Sequence, residues 1–79
     1  MKPAAAPSRA TLVAAMVAAV TTFGADDALI EQIEGGDVPT FDTIAARLGV
    51  EVASLIETFQ QEVFEATGDV LAVSHEVTH

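Results

Sequence analysis

The chain has no cysteine, no tryptophan and no tyrosine. Without cysteine there is no disulfide staple and no thiolate metal centre. Its four phenylalanines are the only aromatic residues, and they form no cluster of the kind that fixes a large planar cofactor. Basic residues are almost as scarce, with only Lys2, Arg9 and Arg47. Three cations are few for a surface that must neutralise several phosphates. Long apolar runs are missing too. The uncharged stretch from Ala10 to Ala25 is Ala-rich and shorter than the roughly 20 residues a membrane-spanning helix needs. A secretory signal would want small residues at positions −3 and −1 of its cleavage site. Ala25 suits −1, but Phe23 stands at −3, so secretion is not expected.

What the chain does have is apolar mass and acid. Seventy-nine residues, 51% of them hydrophobic, make one small domain. A domain this short buries only part of its surface and is marginal alone, so it needs tight helix packing or a partner. The formal charge is −9. All 12 acids lie from Asp26 onward, where Arg47 is the one cation, so residues 26–79 carry 1 − 12 = −11. Such a body repels phosphate backbones and anionic membranes and suits a basic protein surface. It also keeps an apolar protein in solution.

The periodicity predicts an all-α domain of four helices with a short C-terminal helix or tail. Residues 1–7 form an Ala/Pro arm, and residues 8–79 form the single domain. The first helix is expected over residues 10–23, capped by Ser8, with a main stripe of Leu12, Met16, Val20 and Phe23. Its other face holds Ala14, Ala15, Ala18, Thr21 and Thr22, flanked by Val17, without a charge. Asp26 and Asp27 open the second helix at the positive end of its dipole. Leu29, Ile30 and Ile33 are its buried side, and Gly35-Gly36 end it.

Residues 40–59 form the centre of the pattern. Phe41, Ile44, Ala45 and Leu48 recur at helical spacing after an N-cap at Thr40. Gly49 can take the left-handed conformation that ends a helix. A second stripe follows at Val52, Leu55, Ile56, Phe59 and Val63, in a helix expected to stop at Gly68. Ala45 is small where two helices must cross closely. Phe64 falls off this stripe, to meet the C-terminal segment or to serve as an exposed contact. Asp69 caps a last short helix or tail carrying Val70, Val73 and Val77.

Ile44-Ala45, Leu48-Gly49-Val50, Leu55 and Phe59 resemble the helix-turn-helix core of the tetracycline-repressor type, over about a quarter of the chain. The resemblance implies a tri-helical DNA-binding domain in which residues 51–61 form the recognition helix. Arg47, Ser54, Gln60 and Gln61 would then carry the contact. The functional surface departs from that pattern: readers of DNA place basic and amide side chains there, whereas Glu51, Glu57, Glu62 and Glu65 would face phosphates.

Two further motifs carry chemistry-bearing residues. His75-Glu76-Val77-Thr78-His79 resembles the zinc-peptidase signature, two His one helical turn apart with a Glu between them as base. A catalytic zinc needs a third protein ligand, and Glu65 or Asp69 would supply one only if the tail folds back. His75 and His79 are thus the metal candidates, and no metal or other cofactor is expected to be required. Ser54 resembles the modified serine of acyl carrier proteins, but Ala53 stands where that family has Asp.

The expected function is non-enzymatic. The chain reads as an acidic helical interaction or assembly subunit, oligomeric or part of a larger assembly, in the cytoplasm or in a virion. Its expected interface residues are Ala14, Val17, Ala18, Thr21 and Phe64. The partner is another copy or a basic protein surface, and neither DNA nor a membrane is expected. A helix-turn-helix transcriptional regulator is the alternative, and a minimal zinc hydrolase built on His75, Glu76 and His79 is a third class.

Overall fold

The computed structural model describes residues 8–68. The N-terminal arm, the C-terminal helix or tail and the His75–His79 motif lie outside the described residues. The described chain is all-α: α1 (Arg9–Thr22), α2 (Asp27–Glu34), α3 (Phe41–Leu48) and α4 (Val52–Thr67). α1 packs on α4 and α2, and α3 packs on α4.

Local chemistry sets each start. Ser8, Asp26 and Thr40 are extended N-caps whose side-chain oxygens accept from the backbone N–H of Thr11, Leu29 and Thr43. Each satisfies a donor that the first turn leaves without a helical partner. Glu51 precedes α4 without a side-chain cap bond. At the end of α3, Gly49 sits at φ 73°, and Val50 N–H donates to the Ala45 carbonyl at 3.0 Å. This six-to-one bond turns the chain and brings Val50 half-buried against the core.

The core is Ala15, Met16, Ala19, Val20, Leu29, Ile33, Ile44, Ala45, Leu55, Phe59 and Val63. Every buried side chain among the described residues is apolar. Phe41 meets Phe59 edge-on at 5.4 Å between ring centroids, a geometry that adds to the burial of both rings. Leu12, Phe23, Phe41 and Leu48, expected as core, are half-buried and pack around it; Ile56, also expected there, is half-buried.

The first helix differs from the sequence reading. It begins at Arg9 and ends at Thr22, one residue earlier than expected at each end. Ala15, placed by its neutrality on the open face, is only 4% exposed, and Ala19 is fully buried. The buried stripe is therefore rotated toward the alanines. The physical reason is size: a methyl side chain lets a second helix axis come close, and the larger Met16 and Val20 fill the flank. The stripe faces α4 and α2.

Two ties hold the short helices. Asp26 both caps α2 and pairs with Arg47 of α3 at 3.5 Å. Arg9 Nη2 donates to the Gly36 carbonyl at 3.1 Å, joining the start of α1 to the end of α2.

Ala19→Leu is expected to cost about 1–3 kcal/mol by overpacking, whereas Ala14→Leu should change stability by less than about 0.5 kcal/mol. Gly49→Ala should cost about 1–2 kcal/mol through its left-handed backbone alone, since a Cβ there meets nothing within 4 Å. Urea unfolding followed by circular dichroism measures all three. Equal losses at positions 14 and 19 would contradict the assigned face of α1.

Candidate functional site

The surface of α1 opposite its buried stripe is built from residues at helical spacing, Ala10, Ala14, Val17 and Thr21, with Ala18 beside them. Ala10, Ala14 and Thr21 are exposed, and Val17 and Ala18 are half-buried. The hydroxyls here are already engaged. Thr21 Oγ1 donates to the Val17 carbonyl at 2.7 Å, and Thr22 Oγ1 to the Ala18 carbonyl at 3.0 Å. The face presents no charge and no side-chain donor without an acceptor.

The small side chains make a low ridge with a shallow groove on each side. One groove, ≈ 340 Å³, runs between Ala10, Thr11, Ala14 and Ala15 of α1 and Glu62 and Ala66 of α4. The other, ≈ 610 Å³, is lined by Arg9, Ala10, Val13, Ala14, Val17 and Glu34, the last from the end of α2. These volumes would hold a small molecule. The charged groups in the linings are Glu62 in the first and Arg9 with Glu34 in the second, set around a floor of alanine and valine.

The sequence-derived interface residues do not all meet. Ala14, Val17, Ala18 and Thr21 share the α1 face. Phe64 is 44% exposed on α4. It follows the buried Val63 by about 100° around that helix, which turns it off the side that α1 covers. Helical spacing had already grouped the four α1 residues. It gave no sign of Glu34, Glu62 or Ala66, which come alongside only through tertiary packing.

The residues of the DNA-binding alternative are dispersed and partly engaged. Arg47 lies against Asp26 and also donates to Gln32 Oε1 at 3.5 Å. Gln61 donates to Glu65 at 3.0 Å. Ser54 and Gln61 share the exposed side of α4 with Glu57 and Glu65, while Gln60 is half-buried. This side of α4 carries two carboxylates and no cation.

No family model, no curated protein and no solved structure matches the chain. The site has to be read from its own chemistry. Among the described residues no group of three or more His, Asp or Glu side chains is placed to hold a metal ion. No described helix is long and apolar enough to cross a membrane. The metal candidates His75 and His79 lie outside the described residues.

Duplex DNA should bind no more tightly than the non-specific level at physiological salt, because acid on α4 opposes phosphate and Arg47 is already paired. Fluorescence anisotropy with random and palindromic duplexes measures this. Tight, sequence-selective, salt-sensitive binding that weakens in Arg47→Ala would contradict it.

Proposed function

We propose that the protein is a non-enzymatic interaction or assembly subunit that docks another protein on the outer face of α1. One observation carries the reading: α1 buries one side in the core and leaves its opposite side uncharged on a −9 protein. A contiguous neutral strip is unusual on a surface otherwise rich in carboxylates, and such strips mark contact surfaces.

Two other features support it. Every buried side chain among the described residues is apolar, so the interior offers no desolvated acid, base or nucleophile of the kind catalysis uses. The grooves flank the first half of the ridge, one along residues 10–15 and the other along residues 9–17, where side chains of a docked helix would enter. The helix-turn-helix scaffold of the tetracycline-repressor type remains a proposal about architecture, and the acidic side of α4 weighs against its use on DNA. Assembly within the cytoplasm or within a virion is consistent with this role.

The test uses the full chain with Ala14→Glu. Glu is a good helix former and Ala14 is exposed, so helical content and melting temperature should hold. The unmodified protein should either self-associate at micromolar concentration or bind a synthetic amphipathic helix with a Leu stripe and Gln flanks. Ala14→Glu should abolish whichever association is seen. A protein that stays monomeric in sedimentation and binds no such helix, or an association indifferent to Ala14→Glu, contradicts the proposal.

A further inference from the structure

We propose that the partner seated on this face is an amphipathic helix with Lys or Arg on both flanks of its apolar stripe. This rests on the reading of α1 as a docking face and goes on to name what docks there.

The charge around the ridge decides the occupant. One groove is walled by α4, which contains Glu57, Glu62 and Glu65 and no basic residue. The other is closed by the end of α2, which contains Asp27, Glu31 and Glu34 and no basic residue. Glu62 and Glu34 line the two grooves themselves. The one cation in reach, Arg9, stands at the very start of α1 and donates to the Gly36 carbonyl. Past that first turn, the apolar floor has a carboxylate on either side.

A second copy fits this pattern poorly. Pairing two ridges would set Glu34 and Glu62 of each copy beside an equally acidic neighbour. Like charges brought within the roughly 8 Å screening length of physiological salt repel each other. A basic helix reverses the sign of every one of those contacts. Its apolar residues at positions i, i+3 or i+4, and i+7 would enter the two grooves. The Ala10–Ala14 ridge would let the two axes approach to about 8 Å. Its lysines or arginines would reach Glu34 on one side and Glu62 on the other, keeping their stems on apolar surface. α1 has 14 residues, about 21 Å, which accommodates a partner stripe of three to four turns.

The experiment titrates the full chain with four synthetic helices of about 18 residues, long enough to be helical in isolation. Three share one Leu stripe and differ in carrying Lys, Gln or Glu on the flanks. The fourth has the Lys composition with the stripe scrambled. Anisotropy at physiological salt should show the Lys-flanked helix bound about tenfold or more tightly than the Gln-flanked one. The Glu-flanked helix should not bind, and the scrambled Lys peptide should be weaker by a similar factor. Glu34→Gln with Glu62→Gln should bring the Lys-flanked helix down to the Gln-flanked level. Ala14→Glu should abolish binding even though it adds negative charge, which separates packing from bulk attraction. Thr21→Glu, at the other end of the ridge, repeats that test with a second exposed position.

Equal binding of the Lys- and Gln-flanked helices, or of the ordered and scrambled Lys peptides, overturns the inference and leaves the docking face standing. So does a homodimer of the unmodified protein that Ala14→Glu dissociates. A monomer that binds none of the four overturns both.

Discussion

Ala15, Met16, Ala19 and Val20 of α1 are pressed against α4 and α2, and the other packing contacts of the domain are arranged around that contact. Leu29 and Ile33 bring α2 onto the same core, and Leu55, Phe59 and Val63 supply the facing stripe of α4. α3 joins through Ile44, Ala45 and the Phe41–Phe59 ring contact. A small domain cannot surround a central helix on every side, because too much of its mass lies at the surface. Among the described residues, α4 and α2 lie on one side of α1 and no described helix lies on the opposite side. What the chain places there is therefore informative. A helix whose far side met only water would gain solubility from Lys or Glu, both good helix formers. This chain has Ala10, Ala14, Val17 and Thr21 instead.

Electrostatics act at a second level. They contribute little to holding the fold. The Asp26–Arg47 pair is exposed, at 67% and 40% of side-chain surface, and pairs of that kind add at most about 1 kcal/mol. Its larger effect is to occupy a cation that would otherwise serve a phosphate. Among the described residues only Arg9 and Arg47 are basic, and the carboxylates on α2 and α4 frame the neutral ridge. Apolar packing thus fixes the fold, and the excess acid selects the sign of what approaches it.

Much of this architecture was legible in the residues, for reasons that are local. Ser8, Asp26 and Thr40 cap helices because their short oxygen-bearing side chains suit a first turn. Gly49 and Gly68 end helices because they adopt positive φ. Ile44, Leu55, Phe59 and Val63 were placed in the core by spacing alone. The burial of Ala15 and Ala19 was not legible, because an alanine is equally at home inside or outside and only the distance to the next helix decides. The flanking of α1 by Glu34 and Glu62 was illegible for a related reason. Those residues are about twenty and fifty positions from Ala14 along the chain, and no periodicity links them. The neutral face of α1 was visible, but its edges and the acid beside them needed the packed helices.

The central claim is that the uncovered side of α1 is where another protein sits. Amide chemical-shift mapping of the isotope-labelled full chain, titrated with the Lys-flanked amphipathic helix, tests it most directly. The account predicts that the perturbed amides cluster in residues 10–21 and around Glu34 and Glu62. Perturbation centred instead on Ser54, Glu57 and Gln61 of α4, or spread evenly over the acidic surface, would contradict it.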